Sequence, residues 1–254
     1  MNRDDSSLPP CNACRDGNSL DFEFTMAFQP IVDLRNRSIF AYEALVRGTD
    51  GSGAGSILSR VNESNRYAFD QSCRVTAVKL AAELGITCFI SINFLPNAVY
   101  QAATCIRATL EAAHKYNFPT DRLIFEITEN EELVDKKHLK SIITEYQRQG
   151  FKTAIDDFGA GYSGLNLLAE FQPDIIKLDM ALVRDIDQDK VRQAIVQGIL
   201  GVCKSLEIDV IAEGIETLAE LDLLSSLGVN LFQGYLLAKP GFEHLPEVHW
   251  PAHV

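Results

Sequence analysis

From Arg66 onward the chain alternates amphipathic helical stretches with short, strongly apolar runs of strand-forming residues. Helical periodicity over Arg66–Leu84 leads to the strand Cys88–Phe94, a helix around Gln101–Lys115 to Leu123–Thr128, and one around Lys136–Gln149 to Thr153–Phe158. The order repeats with Gly164–Phe171 before Ile175–Met180, Lys190–Leu206 before Asp209–Gly214, and a helix before Leu231–Ala238 opened by the capping-box pattern Thr217-Leu-Ala-Glu220. Strands rich in Ile, Val, Leu and Phe that alternate with helices are buried on both faces, which means a parallel sheet. Upstream, Met26–Val32 and Ser38–Arg47 are joined by only Asp33–Arg37. That link is too short for a parallel crossover, so the pair is an antiparallel hairpin, and Pro30 marks an edge or irregular pairing. Eight strands in 254 residues predict an α/β fold closed into a (β/α)8 barrel, with one antiparallel strand. An open Rossmann or flavodoxin-like sheet is the runner-up, but no GxGxxG follows the first strand. Residues 1–21 read as a flexible polar tail and 22–248 as the barrel.

Charge narrows the partners. Lys and Arg number 23 against 35 Asp and Glu, a net charge of −12 that argues against a nucleic acid polymer. A small phosphate ligand is still allowed, because divalent metals held by carboxylates reverse the sign of a pocket. No apolar run reaches the ~20 residues that span a bilayer, and no secretory pattern opens the chain, so no membrane and a cytoplasmic location are expected. Cys11-Asn-Ala-Cys14 lacks a second ligand pair and lacks a strand-then-helix context, which leaves it a tail feature. The glycine-rich Gly48–Gly55 reads as a loop, over a site or simply mobile.

In a parallel barrel the C-terminal strand ends converge on one face, where active sites are built. Polar residues near those ends are Glu43, Asn93, Glu126, Asp156 with Asp157, Lys177 with Asp179, Glu213 and Gln233. Each has a duller reading as a cap, a turn or a surface pair, yet one polar group per successive strand at the same end is a joint pattern. Carboxylates gathered this way repel one another unless a cation joins them. Oxygen and amide donors without His or Cys suit Mg²⁺ or Mn²⁺. Asp156 and Asp157 are adjacent before Gly159-Ala160-Gly161, and adjacent strand residues point to opposite faces. Both serve one site only where the strand is ending. Two metals about 3.5–4 Å apart are the usual device for in-line hydrolysis of phosphate esters, and Lys177 could activate or hold the attacking water or stabilise charge at phosphorus.

Glu43-Ala44-Leu45 with Arg47, preceded by Phe28-Gln29-Pro30-Ile31, resembles the signature of EAL-domain cyclic-di-GMP phosphodiesterases. The similarity continues through Ile92-Asn93, Phe125-Glu126-Ile127-Thr128-Glu129, Asp156–Ser163, Ile176–Asp179, Ala212–Thr217 and Gln233-Gly234-Tyr235, in family order across about residues 22–242. Asn93-Phe94-Leu95-Pro96 is similar to EAL domains attached to blue-light-sensing modules, although no such module is read in this sequence.

The resemblance implies a modified TIM barrel that uses two Mg²⁺ or Mn²⁺ ions to open cyclic di-GMP to linear pGpG, with Ca²⁺ poorly active. It implies that Glu43, Asn93, Glu126 and Asp156 hold the first metal, that Asp156 bridges to a second held also by Asp157, and that Glu213 binds a metal or its water. Lys177 would assist the water with Asp179 orienting it, Gln29, Arg47 and Gln233 would face the substrate, and Glu129 would anchor the loop Phe158–Leu168. A homodimer through that loop is also implied, and the amphipathic helix Lys190–Leu206 is a further candidate surface on its pattern, which helices of any barrel share. The asparagine motif and the Ala160 of the loop depart from the commoner family pattern without removing a ligand. The alternative function is a catalytically inactive EAL domain that senses the dinucleotide or docks a protein.

Overall fold

The computed structural model describes residues 20–99, 102–128, 136–161 and 164–252. Its strands are β1 (Phe24–Asp33), β2 (Ser38–Gly48), β3 (Phe89–Asn93), β4 (Leu123–Thr128), β5 (Lys152–Phe158), β6 (Ile175–Leu178), β7 (Asp209–Ala212), β8 (Leu231–Phe232) and β9 (Gly241–Phe242). Its helices are α1 (Ala54–Leu58), α2 (Arg66–Glu83), α3 (Ala102–Cys105), α4 (Arg107–Lys115), α5 (Lys136–Arg148), α6 (Gly164–Glu170), α7 (Met180–Val183), α8 (Lys190–Ser205) and α9 (Leu218–Ser226). Strands β2 to β8 run parallel in sequence order, and β1 closes the barrel by pairing antiparallel with both β2 and β8. This is the modified TIM barrel with one antiparallel strand, plus the short β9 beside β1.

Pro30 sits where irregularity was expected. On one side of β1, β9 pairs with Ala27 and Phe28 and β8 with Val32 and Asp33, so Pro30 falls between two pairings. On the other side the β1–β2 register shifts between Ile31 and Val32. A residue with no N–H is tolerated in such a gap. The capping box is also present: Thr217 accepts from the Glu220 N–H, and the Glu220 carboxylate accepts from the Thr217 N–H.

Three expectations need correction. The Gly48–Gly55 loop runs into the one-turn helix α1. The strand expected over Leu231–Ala238 is paired only at Leu231–Phe232. Gly234 then presses so close to the Ile215 backbone that a Cβ there would collide with it, and the chain turns away. The strand expected over Ile175–Met180 ends at Leu178, because Asp179 caps α7 by accepting the Ala181 N–H at 2.8 Å. None of the described helices is long and apolar enough to cross a membrane.

The barrel interior explains where the site sits. Ile31, Ala41, Ile124, Ala154, Ile175, Ile211 and Leu231, one from each of seven strands, form a separate apolar plug. Side chains repeat every second residue along a strand, so the next inward position toward the mouth follows from the plug. Those positions are Gln29, Glu43, Glu126, Asp156, Lys177, Glu213 and Gln233. The floor of the polar site is therefore an apolar layer, and that layer keeps water from reaching the site from below.

Candidate active site

Lys177 stands at the centre of this layer and is 1% exposed. Its Nζ lies 2.7 Å from Glu213 Oε1, 2.9 Å from Glu126 Oε2, 3.0 Å from Asp156 Oδ1 and 3.5 Å from Glu43 Oε2. One ammonium thus serves four carboxylates. Burial works against its charge, but the acids outweigh burial and hold it well above the usual lysine range. In the metal-free protein the surrounding acids therefore keep Lys177 charged.

The acids carry the excess. Burial raises Glu126 to about 8, with Glu43 and Asp156 adding repulsion against the pull of Lys177. Burial likewise lifts Glu213 well above the carboxylate range. Asp157 rises to about 6 through burial and the charges of Asp156 and Asp179.

Neutral donors fix the rest. Asn93 Nδ2 donates to Glu43 Oε1 at 2.9 Å, and Gln233 Nε2 donates to Glu43 Oε2 at 2.7 Å and to Gln29 Oε1 at 3.2 Å. Gln29 in turn donates to the Ala238 carbonyl at 3.1 Å. Ser91 Oγ donates to Glu126 Oε1 at 2.5 Å. Ser91 was not among the residues expected from the sequence, although it is two positions before Asn93 on β3 and so shares its inward face.

Asp156 and Asp157 reach one site through a bulge. The β5–β6 register shifts between Ile155 and Phe158, and Asp157 has φ +54°. The strand ends at Phe158, one residue beyond Asp157, so the two acids lie at its end as expected from the sequence. It is kinked, which turns two adjacent side chains toward the same mouth.

The donor set fits divalent metals. Glu43, Glu126 and Asp156 each bring a carboxylate oxygen within 4.8 Å of the others, and so do Asp156, Asp157 and Glu213. Asp156 belongs to both groups. Its Oδ1 is buried without a hydrogen bond, touching Lys177 only as an ion-pair contact, and the buried Gln233 Oε1 also has no hydrogen bond. A buried carboxylate oxygen met only by an ion pair, within a set of acids in excess, is what a hard cation would engage. A cavity of about 270 Å³ opens above, lined by Asp157, Asp179, Glu213 and Gln233 and by the exposed rim residues Met180 and Tyr235.

Not every expected residue joins the centre. Asp179 lines the mouth but its carboxylate caps α7, and no ion pair links it to Lys177 among the described residues. Arg47 lies at the end of β2 and donates to the Val46 carbonyl at 2.7 Å, outside the lining of the mouth cavity. Glu129 lies outside the described residues, as do Cys11, Cys14, Tyr162 and Ser163.

A family model described as EAL domain matches residues 15–240. The chain is 35% identical over 227 residues to the blue light- and temperature-regulated antirepressor BluF of Escherichia coli, covering 89% of this chain and 56% of BluF. It is also 35% identical over 156 residues to the cyclic di-GMP phosphodiesterase PdeR of Escherichia coli, covering 61% of this chain and 23% of PdeR. Among solved structures, a standalone EAL protein from Vibrio cholerae O395 in a c-di-GMP-bound form superposes with a TM-score of 0.89 at 57% identity, covering 91% of this chain and 98% of that one. BlrP1 of Klebsiella pneumoniae with manganese and cy-diGMP superposes with a TM-score of 0.86 at 35% identity, covering 93% of this chain and 61% of BlrP1.

Proposed function

This chain belongs to the EAL-domain family, and we propose that it is a divalent-metal phosphodiesterase that hydrolyses cyclic di-GMP to linear pGpG. The observation that carries the reading is Asp156, shared between two groups of acids on either side of one buried lysine. Glu43, Asn93, Glu126 and Asp156 would hold one Mg²⁺ or Mn²⁺, and Asp156, Asp157 and Glu213 the other. When bound, such a pair supplies an acidified water and neutralises charge on the phosphodiester. The chain's own part is positional and electrostatic. Asn93 and Gln233 fix the Glu43 carboxylate, Ser91 fixes Glu126, and the apolar plug excludes water from beneath. Lys177 would assist the attacking water or place positive charge near where negative charge accumulates at phosphorus. Gln29, Gln233 and Arg47 are the groups assigned to the dinucleotide, Asp179 at the mouth is assigned to orienting the water that Lys177 assists, and Glu129 to anchoring the loop after Asp157.

The test is turnover of cyclic di-GMP by the purified chain in Mg²⁺, Mn²⁺ or Ca²⁺, with pGpG read by chromatography. Expected are clear turnover with Mg²⁺ and Mn²⁺ and little with Ca²⁺, whose looser coordination fits a tight hydrolytic geometry poorly. Binding without turnover in all three metals would sink the enzyme and favour a sensor or docking module. That second reading has one observation behind it: a relative at 35% identity carries the name of an antirepressor, not of an enzyme.

A homodimer belongs to the same reading. On α8 and at its C-terminal cap, Val191, Ile195, Val202 and Leu206 are exposed along one face. Gly198 on that side would meet nothing within 4 Å if a Cβ were added. Glycine costs about 1 kcal/mol in a helix interior, and no described residue requires it there. A close-packed second copy would. Sedimentation should show a dimer that Ile195→Glu turns into a monomer, and a wild-type monomer at micromolar concentration would refute it.

A further inference from the structure

A second buried charge cluster lies behind the metal acids, between α2, α5 and the loop that leaves β3. Arg74 is 0% and Asp70 2% exposed, and Arg74 Nη2 donates to Asp70 Oδ2 at 2.6 Å. The other carboxylate oxygen, Asp70 Oδ1, accepts the backbone N–H of Leu95 at 2.9 Å. Arg74 also donates from Nε to the Asp70 carbonyl and from Nη1 to the Tyr146 hydroxyl, both at 3.4 Å.

A buried ion pair is weak evidence for stability, because apolar residues of similar size often serve as well. What this pair holds is more telling. Leu95 is two residues beyond Asn93, and Phe94 between them donates its N–H to the Glu126 carbonyl at 3.1 Å. The Phe94 ring packs 5.5 Å from the Tyr146 ring and edge-on at 6.0 Å to Phe125, the neighbour of Glu126. The Tyr146 ring lies 4.9 Å from Phe125. Two acceptors therefore fix the backbone immediately after Asn93, one from the strand carrying Glu126 and one from α2. The same cluster sets the lateral position of β4 through Phe125. A strand end followed by a loop is otherwise free to fray, and Asn93 lies on its last residue.

We propose that Asp70, oriented by Arg74 and Tyr146, is a positioning residue that holds the β3 loop so that Asn93 stays aimed at Glu43 and the first metal. Asp70 acts through the Leu95 amide and needs no contact with the metal. The inference rests on the metal reading above. Groups that orient ligands typically cost roughly 10–100-fold in metal affinity when removed.

The experiment compares two double variants in which the charge pair is removed cleanly. D70L/R74M replaces it with apolar side chains and leaves the Leu95 N–H without an acceptor. D70N/R74M also removes both charges, but the asparagine amide oxygen can still accept that N–H. Mn²⁺ binding to the metal-free proteins is measured by titration calorimetry, with circular dichroism to follow the fold. The expected result is at least roughly tenfold weaker Mn²⁺ binding for D70L/R74M, largely rescued in D70N/R74M. A folded D70L/R74M that binds Mn²⁺ like wild type overturns the inference, and so does a D70N/R74M that loses as much as D70L/R74M. A wild type that takes up no Mn²⁺ at all refutes the metal reading itself, a different outcome. Should D70L/R74M fail to fold, amide hydrogen exchange in wild type decides: a slowly exchanging Leu95 N–H supports the brace, and a freely exchanging one ends it.

Discussion

Two cationic side chains are buried among the described residues, and they have opposite economies. Arg74 meets one carboxylate, Asp70, and every polar atom of that pair has a partner in the protein. Lys177 meets four carboxylates within 3.5 Å, and one of them keeps an oxygen without a hydrogen bond. The first cluster is electrically closed. The second carries a surplus of acid, and burial with mutual repulsion pushes Glu126 and Glu213 toward their protonated forms. A closed pair is what a fold uses to fix a loop. An open cluster is what a fold leaves for cations, because only added positive charge discharges it.

The comparison breaks first by removing each cation. Arg74→Met strands the Asp70 carboxylate in an apolar setting, which costs roughly 3–5 kcal/mol, or a fall in Tm of about 10 °C. Mg²⁺ should recover little of that loss. Lys177→Met leaves acids that can take up protons, so the metal-free protein should lose less and Mg²⁺ should restore it, while turnover falls by about 100-fold or more. Calorimetry of both variants with and without Mg²⁺ checks this. Equal rescue by Mg²⁺ in the two variants would erase the distinction between a closed and an open cluster.

The open cluster was legible in the sequence and the closed one was not, for a reason of placement. Glu43, Glu126, Asp156, Lys177 and Glu213 each sit two residues beyond a small or apolar inward residue, on strands whose parallel order brings their ends together. Convergence followed from topology alone. Asp70 and Arg74 lie four apart on α2, a spacing that ordinarily reads as an exposed helical pair. The sign that they face inward was available, since Asp70, Arg74, Ala77, Val78 and Ala81 continue one buried stripe. It needed the fold to give it weight. The bulge at Asp157 was equally hidden, because an apolar run into two acids looks the same whether the strand ends or kinks. The brevity of β8 depends on contact between Gly234 and Ile215, which are distant enough in sequence that no local pattern marks it.

A smaller effect sharpens the comparison through pH. Glu126 in the folded, metal-free protein is raised to about 8 and Asp157 to about 6, chiefly by burial, above the values these side chains have in an unfolded chain. Between the unfolded and folded values the native state binds more protons than the unfolded state. Stability then falls as pH rises across that interval, from near 5 to near 8. Lys177 does not offset this, since its proton is held firmly throughout that range. Metal ions compete with those protons for the same oxygens, so saturating Mg²⁺ should flatten the slope, and Mg²⁺ affinity should rise with pH over the same interval. Each kcal/mol corresponds to roughly 2–4 °C in Tm for a chain of this size, so the trend is within reach of a thermal-shift series. The Arg74→Met variant should start from a lower Tm and fall more steeply with pH, because a buried Asp70 that has lost its guanidinium also binds a proton in the folded state. A metal-free protein whose Tm rises steadily from pH 5 to pH 8 would mean that the acids around Lys177 are not the strained set their geometry indicates.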